Sequence, residues 1–232
     1  MRNVVITGVS RGIGYHLARS FLARGDRLFG TVRDLQAKAV RGLAEEYGDR
    51  FVPVTMELQD RGSIRRGAAR IERSTASIDV LVSNAGIKTG DNESTVADIS
   101  EENLQRCFDV NTIGPLRLVQ EFLPLLRTAE SAKVVLVSSK RGSITLLPEG
   151  RFVPYCVSKA GLNMLAKLLS YHLAAEGIAT LALHPGWVRT DMGGAAADLA
   201  PEESVPGMME QIEALSLDSP LFVDYAGKEL PW

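Results

Sequence analysis

Val4-Val5-Ile6 runs straight into Thr7-Gly8-Val9-Ser10-Arg11-Gly12-Ile13-Gly14, and Ile13, Leu17, Phe21 and Leu22 then recur at helical spacing up to Gly25. A short, unbroken β-branched run suits a strand buried on both faces of a parallel sheet. A parallel strand must be left by a crossover, and here the crossover begins with three clustered glycines. Those glycines let the backbone turn tightly and come close to a ligand. The helix start behind them offers unpaired N–H groups and a partial positive charge. A bare βα turn is the plainer reading, but the clustering favours a pyrophosphate cradle.

The same alternation repeats along the chain. Strands are expected at 27–32, 51–56, 79–82, 133–137 and 178–183, with a last one at 221–223. Helices are expected at 35–47, from Asp60 as cap to about 74, at 101–127, and at 155–176. Residues 88–100 are polar and loop-like. Residues 193–206 are rich in Ala, Gly and acids, which suggests a substrate lid at about 191–215 containing a short helix at 201–215. Six β/α steps imply one α/β domain over 1–232, a doubly wound, Rossmann-like parallel sheet of about seven strands with helices on both faces.

In such a fold the end of the second strand faces the adenosine ribose. An acid there suits the free 2′-hydroxyl of NAD, and an arginine suits a 2′-phosphate. Arg33 holds that place and Arg11 can reach it from the glycine turn, so NADP(H) is favoured over NAD(H), with Asp34 the counter-indication. Ser83-Asn84-Ala85-Gly86 after the fourth strand would let the chain pass close to the cofactor. Pro115 would disturb the long helix one turn back, near Asn111.

Tyr155 and Lys159 lie four apart at the start of an apolar helical run, on one face. A protonated amine beside a phenol lowers its pKa, so the pair can exchange a proton. A solvated Tyr–Lys pair is the alternative. Ser139 ends the fifth strand, at the edge where open α/β sheets bind ligands. His16, His172 and His184 share no metal spacing, and no metal is expected. Lys88, Lys140 and Arg141, on loops nearby, would attract an acidic substrate if they are more than solvated charges.

Together these ordered motifs resemble the short-chain dehydrogenase/reductase family over residues 4 to about 192. Thr7-Gly8-x-x-x-Gly12-x-Gly14 is similar to its nucleotide loop. Ser83-Asn84-Ala85-Gly86 is similar to its Asn-Asn-Ala-Gly, with Ser first. Asn111, Ser139, Tyr155 and Lys159 are similar to its catalytic tetrad, and Pro185-Gly186 to the pair after its sixth strand. The lid at 190–194 and the tail at 227–232 resemble small carbonyl reductases of the C-factor and sniffer type. The resemblance implies NADPH-dependent reduction of a ketone or aldehyde, or the reverse. Tyr155 would supply the proton, Lys159 would hold the nicotinamide ribose, Ser139 would bond the substrate oxygen, and Asn111 would position a water. Cofactor contacts would come from Gly8, Ser10, Arg11, Gly12, Ile13, Gly14, Arg33, Glu57, Leu58, Asn84, Ala85, Gly86, Tyr155, Lys159, Pro185, Gly186, Val188 and Thr190. Glu57 stands where the family has Asp. Ser139 lies 16 residues before Tyr155 and Ser143 lies 12 before, against the family's spacing of about thirteen, so Ser143 is the second candidate. An NADP-binding regulator with little turnover, or an NAD-dependent alcohol dehydrogenase, would share most of these features.

The charge is close to balanced, at 26 basic and 28 acidic residues, which gives no sign of nucleic-acid or membrane binding. No secretory signal is visible at 1–6, and Cys107 and Cys156 lack disulfide spacing, so a cytoplasmic setting is expected. The resemblance also implies a homodimer or homotetramer through the helices at about 101–127 and 155–176.

Overall fold

The computed structural model describes residues 1–89 and 95–232. Part of the loop expected at 88–100 therefore lies outside the described residues. The strands are β1 (Asn3–Thr7), β2 (Arg27–Val32), β3 (Phe51–Thr55), β4 (Val80–Ser83), β5 (Lys133–Val137), β6 (Ala179–His184) and β7 (Phe222–Asp224). They form one sheet in the order β3-β2-β1-β4-β5-β6-β7, and every pairing is parallel. The order reverses at β1, between β2 and β4, so a crevice opens there at the carboxyl ends of the strands.

Helices cover both faces. They are α1 (Gly12–Ala23), α2 (Lys38–Tyr47), α3 (Arg61–Glu72), α4 (Glu101–Phe108), α5 (Gly114–Arg127), α6 (Val153–Ala174) and α7 (Pro201–Ala214). Period-two alternation assigns β1 to two cores. Val4 and Ile6 pack with Leu17, Phe21 and Met208 on one face. Val5 packs with Phe29, Leu118 and Leu162 on the other. Since both faces are buried, the strands read as continuous apolar runs.

The structure corrects two sequence expectations and gives two others their exact form. The second helix starts at Lys38, not 35, because the Asp34 carboxylate accepts the Gln36 N–H at 2.8 Å and holds a turn there. Asp60 takes the N-cap place of α3 but makes no side-chain cap hydrogen bond. The disturbance expected near Asn111 in the helical stretch at 101–127 is a π-helical turn, Asp109–Ile113, which divides α4 from α5. Pro115 has no N–H to give the carbonyl one turn back, at Asn111, and the extra residue of the π turn accommodates that loss. Finally, the helix expected at 201–215 forms as Pro201–Ala214 and is firmly packed. Val205, Met208, Met209 and Ile212 of α7 are buried in the core. Among the described residues no helix is long and apolar enough to cross a membrane.

Candidate active site

At the switch point lies a cavity of about 510 Å³. Its floor is the glycine turn. A Cβ on Gly14 would meet the Gly8 carbonyl oxygen at 2.2 Å, so the first turn of α1 packs against the loop only with glycine. The N-cap of α1 is Arg11, whose side chain makes no cap bond, and the first turn carries no acid. The helix therefore presents free N–H groups and its positive end to the cavity, a fit for a phosphate.

The wall opposite is the turn after β4. Thr7 Oγ1 accepts the N–H groups of Asn84 and Ala85, both at 2.9 Å. The Asn84 amide donates back to the Thr7 carbonyl at 2.9 Å. Asn84 was expected to lie along the cofactor. It does line the cavity, and its side-chain amide ties the β4 turn to β1. Thr7 is thus a site-building residue that the glycine pattern did not single out.

Ser10, Arg11, Gly12, Ile13, Arg33, Glu57, Leu58, Ala85, Gly86, Pro185 and Thr190 all line the same cavity. A side pocket beyond it is bordered by Ser10, Arg11, Arg33, Asp34 and Ala37. Asp34 Oδ1 accepts the Gln36 N–H, and Arg11 and Arg33 are the pocket's two cationic groups. Arg11 pairs with Asp191 at 2.8 Å across the mouth. Both partners are mostly exposed, and such a pair contributes about 0–1 kcal/mol, little enough for a phosphate to displace. Gly186 and Val188 do not line the cavity. Val188 is buried and bridges to Leu199, so it supports the segment that carries Thr190.

Tyr155 and Lys159 line the cavity's inner end; Ser139, hydrogen-bonded to Tyr155, and Asn111, bonded to Ser158, pack beside them without lining it. The Asn111 side chain clasps Ile87, with Oδ1 accepting its N–H at 2.8 Å and Nδ2 donating to its carbonyl at 2.8 Å. Nδ2 also donates to Ser158 Oγ at 2.9 Å. This amide therefore joins the β4 turn to α6 and is not directed at a ligand. Ser158 and Thr112, whose hydroxyl donates to the Ser158 carbonyl at 2.7 Å, complete the joint. Only its place beside Lys159 could have flagged Ser158.

Ser139 is buried and caps the short turn Lys140–Gly142, its Oγ accepting the Arg141 N–H at 3.1 Å. One lone pair is thereby engaged, leaving the hydroxyl hydrogen to donate elsewhere. Ser143 is also buried, and its hydroxyl accepts the Leu146 N–H at 3.1 Å, closing a turn in the loop.

Lys159 Nζ donates to the Val137 carbonyl at 2.8 Å and stands 5.8 Å from the centre of the Tyr155 ring. Burial lowers its pKa to about 8. Tyr155 is partly exposed and lines the cavity, and burial of its hydroxyl pushes its pKa up to about 12, with Ser139 and the charge of Arg141 pulling the other way. The expectation that Lys159 lowers the phenol's pKa is therefore not met in this state. Desolvation of the phenolate outweighs an amine that is itself turned toward a carbonyl.

Residues 2–200 match the family model described as short chain dehydrogenase. The chain is 40% identical over 159 residues to the C-signal of Myxococcus xanthus, covering 68% of this chain and 95% of that one. Its structure is similar to the NADPH-bound carbonyl reductase from chicken fatty liver, with 35% identity, TM-score 0.93, and 100% and 99% of the two chains covered. It is also similar to carbonyl reductase Sniffer of D. melanogaster, with 31% identity, TM-score 0.93 and 100% of each chain covered.

Proposed function

We propose that this chain, which belongs to the short chain dehydrogenase family, is an NADPH-dependent reductase of ketones or aldehydes. The observation that carries the reading is the convergence of Tyr155, Lys159 and Ser139 beside a cavity whose far end is an uncapped helix start flanked by two arginines. Gly8, Gly12, Ile13 and Gly14 would hold the pyrophosphate, Arg33 and Arg11 the 2′-phosphate, and Lys159 the nicotinamide ribose. Bound there, a reduced nicotinamide supplies two electrons as hydride to the carbonyl carbon.

The protein supplies the proton and the electrostatics. A phenol whose pKa is pushed up to about 12 is fully protonated at neutral pH, as a proton donor must be. Tyr155 gives that proton to the carbonyl oxygen as negative charge develops on it. Ser139, with its lone pair held by the Arg141 N–H, donates a hydrogen bond to the same oxygen. Asn111 holds the β4 turn against α6, and a proton-relaying water near Lys159 would be positioned by its backbone, its amide being engaged. The segment at about 191–215, tied to the glycine turn by Arg11–Asp191, would act as the lid. NADPH oxidation with a panel of ketones and aldehydes tests the reading. Tight NADPH binding without any turnover would instead favour an NADP-binding regulator.

Cofactor choice rests on Arg33. Arg33→Asp exchanges a charge-assisted bond to the 2′-phosphate for repulsion. The ratio of kcat/KM for NADPH over NADH is expected to fall roughly 10- to 100-fold. A ratio that does not move would transfer the discrimination to other residues and reopen NAD as the cofactor.

A second copy is the expected partner. Val157, Met164, Leu168 and Tyr171 leave an exposed apolar stripe on α6, with Met164 at 61% and Tyr171 at 63%. Spacings of seven, four and three place them on one helix face. Leu168→Glu is expected to convert the assembly to monomers in light scattering. A parent that is already monomeric would remove this part of the proposal. Neither Cys107 nor Cys156 is in a disulfide, which supports the proposed reduced, cytoplasmic setting.

A further inference from the structure

One side chain next to the candidate site is held in a way the reductase chemistry alone does not explain. Arg141 belongs to the turn that begins at Ser139, and that turn is pinned. A Cβ on Gly142 would meet the Lys159 backbone carbonyl at 2.6 Å. The loop's further end is tied as well, the Thr145 N–H and hydroxyl donating to the Trp232 carbonyl at 3.1 and 2.7 Å. From this fixed backbone the Arg141 guanidinium lies over the Phe152 ring, 5.0 Å from its centre. Phe152 adopts φ 60° and ψ 40°, a left-handed conformation that costs a bulky residue of order 1–3 kcal/mol and recurs at ligand sites.

Its charge partners are incomplete. Nη2 donates to Glu149 at 2.9 Å, and Glu149 is shared with Arg151 at 3.0 Å. Nη1 is buried with no hydrogen-bond partner. A guanidinium kept for surface stacking and one ion pair would turn its remaining nitrogen to water. A charged donor shut away from both water and an acceptor is costly, and the cost is relieved when an acceptor arrives. The guanidinium is near enough to Tyr155 for its charge to pull the phenol's pKa down. Lys88 and Arg151 also approach the Phe152 ring, at 4.7 and 5.3 Å.

We propose that Arg141 is an anion subsite of the substrate pocket, and that the carbonyl compound reduced beside Tyr155 carries a carboxylate bound by the Nη1 end of its guanidinium. A carboxylate is acceptor-only and matches the planar guanidinium fork, which a neutral ketone does not. The inference rests on the reductase reading for the reaction but not for the binding. The two can therefore fail separately.

The experiment pairs oxohexanoates, with the ketone beside the carboxylate or further along the chain, with their methyl esters. For each pair, kcat/KM with NADPH and binding to the NADPH complex are measured for the parent, Arg141→Gln, Arg141→Lys and Arg151→Gln. The parent is expected to prefer at least one acid over its ester. Arg141→Gln lowers that ratio roughly 10- to 100-fold. Arg141→Lys keeps part of it, and Arg151→Gln leaves it in place. If the parent shows no acid preference in rate or binding, the subsite is wrong. It is also wrong if Arg151→Gln removes the preference as fully as Arg141→Gln, since the effect would then be a diffuse field. If acids bind through Arg141 but no compound of either kind is reduced, the subsite stands and the reductase reading falls.

Discussion

Tyr155→Phe gives a folded protein that binds NADPH like its parent and reduces carbonyl compounds about 10²- to 10⁴-fold more slowly. The loss is confined to the hydroxyl, because the ring is retained and still packs at the start of α6. The parent's phenol is held protonated by burial, so the proton it supplies is present throughout the neutral range. The variant keeps the developing negative charge next to Ser139 but has no nearby acid to neutralise it. Stopped-flow NADPH oxidation measures the slowed step, and a fluorescence titration checks that the cofactor still binds. A variant reducing ketones at the parent's rate would place the proton donor on another group, and the assignment of the site would fail with it.

The sheet was legible because its strands are buried on both faces and have to be apolar throughout. Val4-Val5-Ile6 and 133–137 announce themselves that way. The glycine turn was legible because Gly14 admits no Cβ against the Gly8 carbonyl, so its residue type is forced by geometry. The helix at 201–215 was legible, because Val205, Met208, Met209 and Ile212 recur at helical spacing, but the acids and Pro206 around them hid how deeply that face is buried in the core. What joins distant segments was not visible either. The Asn84 amide bonded to β1, and Asn111 bonded to both Ile87 and Ser158, are contacts between residues far apart in sequence. The same holds for the phenol's pKa. A spacing of four places the amine beside the ring but cannot report how much water either group has lost.

Lys159→Met abolishes useful turnover and yet makes the chain more resistant to unfolding at neutral pH. Lys159 is buried, and burial pushes its amine down to about 8 from its ordinary 10.5. Below pH 8 the folded and unfolded chains both carry the charge, and the folded chain bears the cost of its burial. Between pH 8 and 10.5 the unfolded chain binds more protons than the folded one, so this group's contribution to stability rises with pH across that window and is lost again as pH falls through 8. A depression of this size corresponds to about 3 kcal/mol of burial cost at about 1.4 kcal/mol per unit, offset by roughly 1 kcal/mol or more for the Val137 carbonyl left without its donor. The variant is therefore expected to be more stable than the parent by about 1–2 kcal/mol at pH 7, with the difference shrinking as pH passes 8 and reversing by about 10.5, where only the orphaned carbonyl's cost of about 1 kcal/mol or more remains. Denaturant melts of the two proteins across that range measure the difference directly. A site kept at such a cost, in a position where methionine packs better, is one held for its charge. If the variant is instead less stable at pH 7 and the gap does not change with pH, the amine contributes chiefly as a structural donor to Val137, and its part in holding a cofactor and steering a proton loses its physical basis.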